Sequence, residues 1–122
     1  MRTYRGSCHC GAVTFTITTG EITKGIRCNC SICRRRGAVM SDVYFTPDEI
    51  VVEGKDSLAL YQWGDRVMNH WFCRTCGINP FAEVVEGATG PASPVRYRVN
   101  LGCVEGIDPF ALEIRLLDGA SL

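Results

Sequence analysis

Seven of the eight cysteines fall into three tight groups: Cys8-x-Cys10, Cys28-x-Cys30-x-x-Cys33 and Cys73-x-x-Cys76. Thiols spaced one or two residues apart suit chelation of one ion better than disulfide pairing. The first six residues, Met1 to Gly6, carry no apolar run and do not read as a secretory leader. A chain kept in a reducing compartment holds its clustered thiols as metal ligands. The expectation is therefore a cytoplasmic, metal-stapled domain.

The remaining composition narrows the class. There are 13 basic and 13 acidic residues in 122, so neither a nucleic-acid footprint nor a basic membrane patch is expected. No apolar stretch approaches the roughly 20 residues that span a bilayer. The length suits one domain.

Along the chain the apolar pattern has a period of two. Residues 12–19 alternate, with Val13, Phe15 and Ile17 on one face of a strand. Further strands are expected over 24–28, 50–53, 58–63, 67–72, 95–101 and 112–116, with an extended segment at 39–45. Ser31 is expected to cap one turn of helix ended by Gly37. Residues 86–94, rich in Gly, Pro and Ser, read as an exposed loop rather than a flap. No window sustains a helical period, so the class is all-β, built of short strands and hairpins with little helix.

Cys73-Arg74-Thr75-Cys76-Gly77 has the form of a zinc knuckle, in which a C-x-x-C turn points two sulfurs inward. In the extended run at Cys8 and Cys10, alternate residues share a side, so both sulfurs can chelate while His9 points away. These two halves could complete a four-sulfur site, leaving Cys28, Cys30 and Cys33 as a three-sulfur site with an open position. Spacing alone also allows Cys30/Cys33 to join Cys73/Cys76, and Cys103 to fill the vacancy. Standing alone among the thiols, Cys103 is expected to be a small buried hydrophobe.

The runs G-S-C-H-C-G at 6–11, C-N-C-S-I-C-R-R-R-G at 28–37 and F-C-R-T-C-G at 72–77 resemble the glutathione-dependent formaldehyde-activating enzyme family, also called the centromere protein V domain family. The resemblance covers residues 4–116, read as a single domain. Val99 to Cys103 and Leu117-Asp118-Gly119 are similar to one branch of it. The resemblance implies a β-tent fold of antiparallel strands with two zincs per chain. It assigns Cys8, Cys10, Cys73 and Cys76 to a structural zinc, and Cys28, Cys30 and Cys33 to a second zinc whose fourth position takes solvent or a thiol. It also implies carbon–sulfur lyase activity, making or breaking S-hydroxymethylglutathione, with glutathione or another small thiol as co-substrate.

Three thiolates on one zinc(II) leave a single negative charge, and a thiol entering the open corner would bind as a nucleophilic thiolate. Of Arg34, Arg35 and Arg36, adjacent residues that cannot all face one pocket, Arg34 is the candidate for a substrate carboxylate. His70 is expected to be a structural strand histidine, with general acid/base work as its alternative role. Trp63, Trp71, Phe72 and Phe81 are expected in the core. The competing reading is a non-catalytic zinc-binding interaction module, which would gain if a protein side chain completed the second site.

Overall fold

The computed structural model describes residues 1–121 and contains ten strands and one short helix. The strands are β1 (Arg2–Ser7), β2 (Thr14–Thr19), β3 (Lys24–Cys28), β4 (Met40–Ser41), β5 (Ile50–Glu53), β6 (Leu58–Tyr61), β7 (Met68–Cys73), β8 (Phe81–Val84), β9 (Arg96–Val99) and β10 (Glu113–Leu117). The helix α1 spans Ser31–Arg36. They form three small sheets, ordered β1-β2-β5, β10-β3-β4 and β6-β7-β8-β9. Among the described residues no helix is long and apolar enough to cross a membrane.

The all-β reading holds, and its alternation places Val13, Phe15 and Ile17 at the centre of the core, each at most 2% exposed. Around them pack Phe45, Ile50, Leu58, Phe81, Val99 and Leu101. Burial of such side chains is worth roughly 1.5–3 kcal/mol each.

Two strands left no sequence signal. In β1 only Gly6 is fully buried, so no apolar period exists to find. Gly6 matters by lacking a side chain: a Cβ there would lie 2.1 Å from Phe15 Cζ. The other is β8, a short run after Pro80 that becomes an inner strand of the four-stranded sheet. Its Glu83 accepts hydrogen bonds from Asn69 (2.8 Å), Trp71 (3.1 Å) and Tyr97 (2.8 Å). Burial raises the Glu83 pKa, but those donors outweigh it and hold the carboxyl below its ordinary value.

Three local expectations are corrected. Cys30, not Ser31, is the N-cap of α1 and makes no side-chain capping bond. Gly37 ends the helix as expected, at φ 68°, its N–H on the Cys33 carbonyl. Trp63 is 45% exposed and lies outside the core. The strands are antiparallel except for β3 with β10, which pair in parallel from Lys24↔Glu113 to Cys28↔Leu117.

Gly54 closes the first sheet at φ 80°, where a Cβ would stand 1.9 Å from the Ala12 carbonyl oxygen. Gly54→Ala is expected to cost about 2–4 kcal/mol in urea denaturation, from backbone strain plus this clash. Gly20→Ala, into open space, is expected to change little.

Candidate metal centres

The first cluster joins the turn after β1 to the turn after β7. Cys8 N–H reaches the Val13 carbonyl at 3.0 Å, and Val13 N–H points at Cys8 Sγ at 3.3 Å. Gly77, at φ 79°, turns the chain behind Cys76 and donates to the Cys73 carbonyl at 2.8 Å. The four sulfurs of Cys8, Cys10, Cys73 and Cys76 lie within 4.8 Å of one another. Cys10 Sγ is 3.7 Å from both Cys8 Sγ and Cys73 Sγ. A tetrahedron with metal–sulfur bonds of about 2.3 Å has edges of about 3.8 Å, so the spacing fits zinc. The N–H groups of Ile78 and Cys10 bring the Cys76 thiol down to about 6, favouring the thiolate a metal needs.

Cys28 ends β3, Cys30 caps α1 and Cys33 lies within it. Their sulfurs also converge within 4.8 Å, and among the described residues no fourth His, Cys, Asp or Glu joins them. Cys30 N–H points at Cys28 Sγ at 3.4 Å. Burial, followed by the crowding Cys30 thiol, pushes Cys33 up to about 12, while Arg36 opposes the shift. Three soft sulfur donors converging in one place fit a thiophilic metal.

The parallel β3–β10 pair brings the C-terminal turn onto this cluster. Asn29 Nδ2 donates to Asp118 Oδ1 at 2.9 Å, and Ala120 N–H donates to Asn29 Oδ1 at 2.9 Å. A Cβ on Gly119 would lie 2.4 Å from Cys28 Sγ, so the bare backbone is what fits against the sulfur.

Of the three arginines, Arg36 meets the cluster. Its Nη2 donates to Cys33 Sγ at 3.4 Å and its Nη1 to Asn79 Oδ1 at 2.9 Å. Arg35 turns back to the Ser31 carbonyl at 2.9 Å. Arg34 is exposed on the helix and lines a cleft of about 300 Å³ with Arg27, Cys28 and Cys33. Helical spacing could have singled out Arg36, which stands three residues after Cys33 and so on the same face. Asn79, Asn29 and Gly119 carried no such signal, because their partners are remote in sequence.

His70 is buried in β7, its Nδ1 3.4 Å from Arg36 Nη1. Burial, then the Arg36 charge, lowers its pKa to about 4. The ring thus stands against the Arg36 guanidinium. Cys103 lies in a 3₁₀ turn (Leu101–Cys103), half-buried against the core, its thiol raised to about 11 by burial and then by Cys8 and Cys76. It belongs to neither sulfur cluster. Two further hollows flank the second site. One of about 410 Å³ is lined by Cys30, Cys33, Ile32, Trp63, Asp65 and Met68. The other, about 860 Å³, shares Ile32 and His70 with it but reaches no cysteine. None of residues 86–94 lines these spaces or the Arg34 cleft.

Two outcomes are expected. Cys73→Ser should release the metal of the first cluster and cost about 3 kcal/mol or more, whereas Cys30→Ser should cost about 1 kcal/mol, by thermal denaturation with metal analysis. Equal losses would contradict the division of labour. The second concerns pH. The folded His70 pKa of about 4 lies below the ordinary 6.5, so its contribution to stability is full above 6.5 and is lost as pH falls toward 4. The His70 ring signals in NMR should still be those of neutral imidazole at pH 6.

The sequence model of the glutathione-dependent formaldehyde-activating enzyme family matches residues 3–114. A Halomonas elongata protein, provisionally named a glutathione-dependent formaldehyde-activating enzyme, is 38% identical over 120 residues, covering 79% of this chain and 73% of its own. A crystal structure of a Rhodobacter sphaeroides protein superposes with a TM-score of 0.73 at 35% identity, covering 91% of this chain and 99% of that one. With its cysteine groups gathered into two clusters on an all-β frame, the chain belongs to the glutathione-dependent formaldehyde-activating enzyme family.

Proposed function

We propose that this protein is a zinc-dependent carbon–sulfur lyase or synthase acting on a small-thiol adduct of the S-hydroxymethylglutathione type. The observation that carries this reading is the three-sulfur cluster, which has no fourth protein ligand among the described residues and opens onto clefts. Zinc there would supply a fourth position at which a thiol gives up its proton and stays nucleophilic.

The chain's own groups prepare the reaction. Cys28, Cys30 and Cys33 present the converging sulfurs. Arg36, donating to Cys33, draws off part of the negative charge that three thiolates accumulate. Arg27 and Arg34, beside Cys28 and Cys33, offer cations to the carboxylates of a thiol such as glutathione. In the forward direction the thiol proton goes to solvent and the sulfur adds to the carbonyl carbon of an aldehyde, which is formaldehyde in the case of S-hydroxymethylglutathione. The displaced π pair stays on oxygen, which takes a proton from water. The reverse order cleaves the carbon–sulfur bond. Cys8, Cys10, Cys73 and Cys76 hold the second, structural zinc in this reading.

The reading is tested on protein loaded with cobalt(II) in place of zinc. Adding glutathione should change the cobalt absorption bands of wild-type protein, and Cys30→Ser should abolish the change while the first site keeps its metal. Bands that ignore glutathione would refute the proposal.

A further inference from the structure

The second cluster lies between two clefts of opposite character. On the Cys28 side stand Arg27 and Arg34 against a single carboxylate, Asp118, with about 300 Å³ of space. On the Cys30 side the walls are mainly apolar, from Ile32, Trp63 and Met68, with about 410 Å³ of space. No arginine or lysine lines that second cleft, and its charged member is Asp65. His70, which also lines it, is held neutral at physiological pH by burial and Arg36.

A carbon–sulfur bond joins two fragments, and each cleft suits one of them. A thiol bearing carboxylates is drawn to the cleft where two arginines outnumber Asp118 and repelled from the one where no cation offsets Asp65. The apolar cleft is then left to the carbon fragment. Formaldehyde has two non-hydrogen atoms, close in size to a water molecule, which takes about 30 Å³ in the liquid. The cleft is more than ten times larger and offers hydrocarbon and indole surface that a one-carbon group cannot cover. Trp63 is the telling residue. It is 45% exposed and lines this cleft with Cys30 and Cys33, and an indole face there gains most against another flat apolar group.

Resting on the thiol reading above, we infer that the carbon fragment handled at Cys28, Cys30 and Cys33 is a bulky apolar aldehyde, aromatic or branched. It sits between Ile32, Trp63 and Met68 while the thiol's carboxylates face Arg27 and Arg34. The aldehyde carbon takes the thiolate sulfur, its oxygen takes a proton from water, and the product is a hemithioacetal with an apolar tail. No oxidant or reductant is needed.

Two stable thioethers serve as probes of the zinc-loaded full chain by calorimetry. S-benzylglutathione stands in for a bulky adduct and S-methylglutathione for a one-carbon adduct. The benzyl compound should bind at least about tenfold more tightly, within the 10–200-fold range that hydrocarbon contacts in a pocket supply. Trp63→Ala should erase that advantage while metal content is retained, and Trp63→Phe should keep most of it. If the benzyl compound binds no better than the methyl one, or neither binds, while glutathione still shifts the cobalt bands, the inference is wrong and the thiol reading survives. An advantage that persists in Trp63→Ala overturns the assignment to this cleft. Cobalt bands that ignore glutathione overturn the thiol reading and this inference with it.

Discussion

Everything in this fold depends on sulfur crowding. Seven thiols are gathered into two clusters, each with its sulfurs within 4.8 Å of one another. Thiolates packed that closely repel one another, and a cation between them would remove that repulsion. The first cluster closes a loop from Cys10 to Cys73, which links the first and third sheets. Clipping so long a loop removes much of the freedom of the unfolded chain. That matters in a small domain, whose core is limited by its surface-to-volume ratio.

The second cluster follows a different logic. Its ligands sit on a strand end, a helix cap and one turn of helix, all within six residues, so it does little to join distant parts of the chain. Its surroundings come from elsewhere. Strand β10 pairs in parallel with β3 and carries the Asp118–Gly119 turn against Cys28. Asn79, anchored by donating to the Trp71 and Phe81 carbonyls, holds Arg36 at Cys33. The four-sulfur cluster draws together parts of the chain remote in sequence, and the half-buried three-sulfur cluster is local and framed by residues from elsewhere.

Reading the residues found the strands that show a period of two and missed those that do not. Strand β2 announced itself through Val13, Phe15 and Ile17, because each of them faces the core. Strand β1 stayed hidden, since its contribution is a missing side chain at Gly6 under the Phe15 ring. Trp63 was assigned to the core on hydrophobicity alone. Whether a large apolar residue is buried depends on what packs over it, and nothing covers Trp63 beside the cluster. Arg34, the candidate for a substrate carboxylate, lines the cleft beside Cys28 and Cys33, while the contact with sulfur is made by Arg36, one helical turn after Cys33.

The amino-acid sequence by itself determined the ligand groups, the all-β class and the family, because chelating spacings and alternating patterns are local properties of the chain. The family resemblance implied which half-sites join, and the structure brings the same ones together; which arginine touches sulfur and what lines the two clefts were decided only by the tertiary structure. Those contacts link residues tens of positions apart, and their energies depend on burial and geometry that no local pattern encodes.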